Sequence, residues 1–254
     1  MDVSCITVTQ PGRMPQLRLA VADFARQTHA ERELVIVHDG DATFHAELAA
    51  LRAAHPQQAI RVVHVAGPLT LGALRNHGVT LAHGELVCQW DDDDRYHPQR
   101  IAVQADGLTA DGADFCFLSD QLHWYPARAE LTWDDWDREP YPLNLVPGTL
   151  LGRKSALPRY GELARGEDTG MCLAILDAGG RIARLRGYGW CYVYVYHGGN
   201  VWSYDHHAAI SRIKALGAAR LLGRERTLRE RLAEYAPPFP ALTMPYPGGS
   251  IAIG

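Results

Sequence analysis

The first hundred residues switch repeatedly between short continuous apolar runs and longer stretches with helical spacing. Val3-Ser4-Cys5-Ile6-Thr7-Val8-Thr9 is a buried strand by this reading, stopped by Gln10-Pro11-Gly12. Residues 15–28 then place Leu17, Leu19, Ala20, Val21, Phe24 and Ala25 along a helical stripe. Glu33 to His38 predicts a second strand, ended by Asp39-Gly40-Asp41, and Phe44, Leu48 and Leu51 mark the helix after it. A third strand is expected over 60–65, a helix over 71–82, a fourth strand over 86–90 and a helix over 98–108. Strands that are apolar throughout and alternate with helices predict a mostly parallel sheet covered on both faces. Such sheets bind ligands at the carboxyl ends of their strands, where Thr9, Asp39 and the run Asp91-Asp92-Asp93-Asp94 all fall.

The second half is less regular. A strand is expected over 114–119 and a loop or short hairpin over 121–147, which is rich in Trp, Tyr and Pro and contains Trp133-Asp134-Asp135-Trp136. A helix is predicted over 168–178, a strand over 190–196, helical structure over 206–235 and an extended surface tail from Pro237. The basic amphipathic stretch 206–235 either packs on the domain or lies on an anionic membrane surface.

Composition narrows this picture only a little. The 254 residues are 47% hydrophobic and 21% charged, enough for a buried core, and the net charge of −4 excludes bulk nucleic-acid binding. Cys5, Cys88, Cys116, Cys172 and Cys191 are widely spaced with no C-x-x-C pair, so reduced buried thiols in a cytoplasmic protein are expected. The run Val3 to Val8 is too short for a signal peptide and follows no basic segment.

Four consecutive carboxylates repel one another, by up to ~4 kcal/mol per close pair at a surface-like dielectric. A solvated turn that caps the next helix tolerates this. So does a site where Mg²⁺ or Mn²⁺ neutralises the cluster. Strand alternation puts Asp91 and Asp93 on one side and Asp92 on the other.

Four segments in order resemble family 2 glycosyltransferases, which have the GT-A fold. They are the opening strand with its helix ending in Gln27-Thr28, Glu33 to Gly40, Gly72-Ala73-Leu74-Arg75-Asn76-His77-Gly78, and Gln89 to Pro98, which fits Asp-x-Asp-Asp-x-x-x-Pro. Gly166-Glu167-Asp168 and Tyr196-His197-Gly198-Gly199-Asn200 extend the resemblance; the region from about 120 to 160 does not share it. His38 and Asp41 depart from the family's Asp-Asp-Gly-Ser.

The resemblance implies an α/β GT-A domain over 1–205. Its nucleotide-binding half is 1–98 and its acceptor half 99–205, and 206–254 forms C-terminal helices and a tail packed on the same domain. It implies an inverting transferase of the hexosyltransferase type, which moves a sugar from a nucleotide-diphosphate-sugar, a UDP-sugar above others, to a hydroxyl of a glycan or lipid-linked acceptor. Thr9, Asp39, Arg75 and Asp91 would contact the nucleotide, with Asp92 beside them. Asp93 would bind Mn²⁺ or Mg²⁺, with His197 as a second ligand, and Asp168 would be the general base. A nucleotidyltransferase is the rival enzyme, although Gln10-Pro11-Gly12-Arg13 is a poor phosphate loop for one. A non-catalytic sugar-nucleotide-binding module is the other alternative.

Overall fold

In the computed structural model, residues 1–141 and 143–253 are described; Pro142 and Gly254, the end of the expected tail, lie outside them. The first half follows the hydrophobic pattern closely. Strands β1 (Val3–Val8), β2 (Arg32–His38), β3 (Ile60–His64) and β4 (Leu86–Gln89) alternate with helices α1 (Met14–Ala25), α2 (Ala42–Ala53) and α3 (Leu71–Leu81). The chain continues through β5 (Arg95–Tyr96), α4 (Arg100–Ala110), β6 (Phe115–Leu118), β7 (Asp120–Tyr125), β8 (Glu130–Asp135) and β9 (Leu151–Arg153). It ends with α5 (Glu167–Asp177), β10 (Ile182–Leu185), β11 (Tyr192–Val195), α6 (Tyr204–Lys214), α7 (Ala218–Leu232), β12 (Leu242–Tyr246) and β13 (Gly249–Ile253).

Seven strands form the main sheet in the order β10-β6-β9-β4-β1-β2-β3, parallel except at β9. Alternate side chains of its central strands feed two cores. Cys5, Leu34, Ile36, Leu86 and Cys88 join Leu17 and Phe24 of α1, Leu48 of α2 and Ile101 of α4 on one face. Ile6, Val35, Val37 and Val87 pack with Leu74 of α3 on the other. Each fully buried side chain of this size contributes roughly 1.5–3 kcal/mol. The expected parallel sheet covered on both faces is therefore present.

The second half differs from its sequence reading. The 121–147 stretch holds the expected hairpin, β7–β8, with six residues in each strand, and it belongs to a second sheet ordered β13-β12-β8-β7-β11-β5. The tail is not merely extended: β12 and β13 form a hairpin at that sheet's edge, and Thr243 of β12 pairs with Glu130 of β8. Residues 206–235 are two helices, broken at Ala215-Leu216-Gly217, whose buried faces include His207, Ser211, Leu221, Leu228 and Leu232. All five cysteines are buried free thiols, as expected. No helix among the described residues is long and apolar enough to cross a membrane.

Candidate active site

The acidic run is a short loop between two anchored strands. On its near side Trp90 is fully buried, its indole N–H bonded to Ala20 O at 3.1 Å and its ring stacked 3.8 Å from Tyr96. On its far side the Arg95 guanidinium pairs with buried Asp23 of α1 at 2.7 Å, and the Tyr96 N–H donates to the same carboxylate. Tyr96 Oη then reaches back to Asp91 O at 2.9 Å. Carboxylates pinned this way cannot spread apart in solvent.

Asp91, Asp92, Asp93 and Asp94 all line one polar chamber of about 410 Å³, together with Thr9, Arg13, Asp39, Arg75 and Asp168. Asp92 was expected on the opposite side; the chain leaves strand geometry after Gln89, so alternation no longer applies. Burial, and then Asp93 beside it, push the Asp92 carboxyl up to about 7. Asp94 does not cap the following turn. It accepts from Tyr192 Oη and from the Val195 N–H at 2.9 Å, tying the loop to β11, and burial followed by its acidic neighbours raises its pKa well above the usual carboxylate range.

The remaining predicted residues converge from distant elements. Asp39, at the end of β2, accepts from the Leu69 N–H at 2.8 Å. Thr9 is buried with its hydroxyl toward Asp92, whose carboxyl it helps hold down. Arg75 of α3 is buried: Nη2 donates to Asp91 at 2.6 Å, Nε to Glu167 at 3.0 Å, and Nη1 has no partner. It joins the acidic loop to α5, which carries Asp168. A helix start alone would lower the Asp168 pKa, yet burial and then neighbouring Glu167 lift it to about 6. The Thr169 N–H donates to its carboxylate at 2.7 Å.

The glycine-containing motif of α3 reads out residue by residue. A Cβ at Gly72 would meet Gly161 O at 1.9 Å, so only glycine lets the 160–163 loop dock there. Asn76 holds that loop with a pair of 2.9 Å bonds to Tyr160 N and O. A Cβ at Gly78 would lie 2.4 Å from Ile6 Cγ2, so this glycine brings α3 against β1. The departures from the family pattern also have local explanations. Asp41 caps α2 through a 2.8 Å bond from the Phe44 N–H, a role serine fills equally well. His38 is buried against His45, 3.0 Å from its Nδ1, and burial, then His45 and His64, lower its pKa to about 4.

His197 Nε2 stands 3.1 Å from Asp93 Oδ2, and Asn200 fixes its loop by accepting from the His197 N–H and donating to Val195 O. Sequence reasoning missed Arg13. Its Nη1 donates to Asp93 and lies 2.8 Å from His197 Nε2, and its Nη2 donates to Gly199 O. A guanidinium only donates, so Arg13 pairs with the Asp93 carboxylate, beside which His197 also stands. Asp93 and His197 together suit a divalent ion. Ligands at ~2.1 Å in octahedral geometry sit about 3 Å apart, and Mg²⁺-type ions take only one or two protein groups beside substrate phosphates. Among the described residues no cluster of three His, Cys, Asp or Glu side chains could hold a metal without such help. Arg13 would have to yield to such an ion.

A second, mainly apolar cavity of about 490 Å³ opens beside the first and shares Asp91, Asp168, Tyr194 and Trp202 with it. Of the sequence's tryptophans, Trp136 and Trp202 line it, whereas Trp133 and Trp190 are core residues.

With this geometry in place, comparisons with known proteins are informative. Residues 11–124 match the Glycosyl transferase family 2 model. No curated protein matches the sequence. Among solved structures, S. aureus TarS 1-349 in complex with UDP-GlcNAc is 16% identical with a TM-score of 0.61, over 93% of this chain and 68% of that one. TarS 1-349 in complex with UDP is 16% identical with a TM-score of 0.60, over 92% and 80%. A third S. aureus TarS structure, 18% identical with a TM-score of 0.59, is matched over 92% of this chain and 43% of its own. At these identities the likeness shows the fold. Residues 11–124 thus match glycosyl transferase family 2, and the chain is a glycosyltransferase with the GT-A fold.

Proposed function

We propose that the chain transfers a sugar, with inversion, from a nucleotide-diphosphate-sugar to an acceptor hydroxyl, and that the donor is a UDP-sugar. The observation that carries this reading is the convergence of Thr9, Asp39, Arg75 and the acidic loop on one polar chamber, with a buried donor, Arg75 Nη1, left without a partner among the described residues. Buried donors of this kind are costly unless a ligand satisfies them. The TarS structures bound to UDP-GlcNAc and UDP support the same ligand class.

In this reading Asp39 takes the base, Asp91 and Asp92 lie toward the ribose, and Arg75 faces the diphosphate. Asp168 accepts the proton of the acceptor hydroxyl as its oxygen attacks the anomeric carbon. The bond from that carbon to the diphosphate oxygen breaks, and the nucleoside diphosphate leaves with the electron pair. Arg13 and Arg75 offset the negative charge that develops there. Asp93 and His197 would hold Mn²⁺ or Mg²⁺, which when bound supplies further charge stabilisation at the leaving diphosphate. One domain over 1–205 with 206–254 packed on it, and a cytoplasmic protein, complete the proposal. The buried faces of α6 and α7 leave their outer arginines, with exposed Ile213 and Leu222, for a membrane surface.

Calorimetric titration with UDP, with and without Mn²⁺, tests the donor site. Saturable binding that Mn²⁺ strengthens is expected. No binding of UDP or of any other nucleoside diphosphate would refute the proposal.

A further inference from the structure

The apolar cavity beside Asp168 is not explained by donor binding. Its walls come from β7, residues 136–139 and 143–148, α5, β11 and the inner face of α6, with Asp91 and Trp202. It contains a single lysine, and that charge is already spent: Lys214 is buried, bonds Glu139, and its ammonium lies 4.4 Å from the centroid of the Trp136 ring. His207 is kept neutral, because burial, then His123 and His206, lower its pKa to about 3. Among the described residues an anionic occupant would meet, His206 aside, no free cation in the lining, and would face Asp91 and Asp168.

Two polar groups in the wall lack partners among the described residues: His123 Nε2 and Trp136 Nε1. His123 is 1% exposed, and its other nitrogen is fixed. Nδ1 lies 3.3 Å from Asp134 Oδ2, a carboxylate of zero exposure that also accepts from Ser211 Oγ at 2.9 Å and Thr132 Oγ1 at 2.8 Å. With its hydroxyl neighbours already donating to it, Asp134 orients the imidazole with its proton on Nδ1 and leaves Nε2 as an acceptor. Trp136 Nε1 is a donor only. The wall thus offers one acceptor and one donor in an otherwise apolar, aromatic setting.

We infer that this cavity takes an uncharged acceptor with a flat aromatic body: an aryl-bodied alcohol that presents one hydroxyl to Asp168 and a second polar group to His123 and Trp136. The inference rests on the transfer reading above and adds the acceptor class to it. It excludes phosphorylated and diphosphate-linked acceptors. His123 and Asp134 act as positioning residues and take no part in bond making.

The test is calorimetric binding of phenyl β-glucoside, methyl β-glucoside and phenyl phosphate to the UDP-loaded protein. Phenyl β-glucoside is expected to bind about tenfold or more tighter than either of the others. Trp136→Ala and His123→Ala should each weaken it about tenfold, and raise the acceptor KM more than they lower kcat. Trp136→Phe keeps the ring, loses only the N–H, and should lose less. Ile213→Ala, on the exposed outer face of α6, should bind like the wild type. Equal binding of methyl β-glucoside or phenyl phosphate, or phenyl β-glucoside binding that neither His123→Ala nor Trp136→Ala changes, would overturn the inference. If UDP fails to bind but phenyl β-glucoside still binds with the expected dependence on His123 and Trp136, the donor reading falls and the cavity's chemistry stands.

Discussion

The two chambers that meet at Asp168 are built on opposite principles. The donor chamber is charged and comes largely from the ends of β1, β2 and β4 and the start of α3, all within the first hundred residues. The acceptor cavity is apolar and draws on five regions between residues 121 and 214. On the proposed reading, function in the first depends on a few carboxylates and guanidinium groups held in fixed pairs. In the second it depends on shape, with two buried hydrogen-bonding atoms unpartnered among the described residues. A change in the first should therefore strike chemistry or stability, and a change in the second should strike acceptor choice.

The sharpest way to separate the chambers is at the residue they share. Asp168→Asn should lower transfer by ~10²–10⁴-fold while UDP affinity, measured by calorimetry, holds within about threefold. The same residue sets a pH dependence. As a base it works only when ionised, and its pKa is lifted to about 6 by burial and then Glu167. The transfer rate should be full above about pH 7 and fall tenfold per unit below pH 6, and that limb should vanish in Asp168→Asn. A rate independent of pH between 5 and 7 would remove Asp168 from the role.

Arg75→Met would leave buried Glu167 and half-buried Asp91 without their common cation. Breaking a buried pair costs about 3–5 kcal/mol, so thermal unfolding should begin roughly 10 °C lower. Adding Glu167→Gln should recover part of that loss. An unchanged melting curve for Arg75→Met would mean that the bridge between the acidic loop and α5 is not structural.

Gly72→Ala forces the 160–163 loop off α3, because the new methyl group would lie 1.9 Å from Gly161 O where the backbone now stands. Overpacking of this kind costs about 1–3 kcal/mol. Melting should shift by several degrees, and the transfer rate should fall more than UDP affinity does, since the displaced loop leads to Asp168.

The same contrast explains how much could be read in advance. Strand ends in a parallel sheet converge by geometry, so Thr9, Asp39 and Asp91 to Asp94 were legible as one site once the strands were recognised. The long apolar runs of β1, β2 and β4 and the stripes of α1 and α2 carried that recognition. Arg13 was not legible: it reaches Asp93 across 80 residues, and nothing in Gln10-Pro11-Gly12-Arg13 encodes the reach. The two-residue β5 has no period to read. The β12–β13 hairpin hides behind Pro245, which argues against a strand; it is tolerated because β12 pairs with β8 only at Thr243, before Pro245 is reached. His123 and Asp134 lie on paired strands, but only the two-residue offset in the β7–β8 register and the approach of Ser211 from α6 make them a unit. A hairpin and a helix were each expected in these stretches; that the helix packs against the hairpin was not legible.

The most direct test of the whole account is the stereochemistry of the product. The wild-type enzyme with an α-linked UDP-sugar, Mn²⁺ and phenyl β-glucoside should release one UDP per glycoside formed, and proton NMR should show the new linkage as β. A new α linkage, or a panel of nucleotide sugars from which no sugar is ever moved, would contradict it.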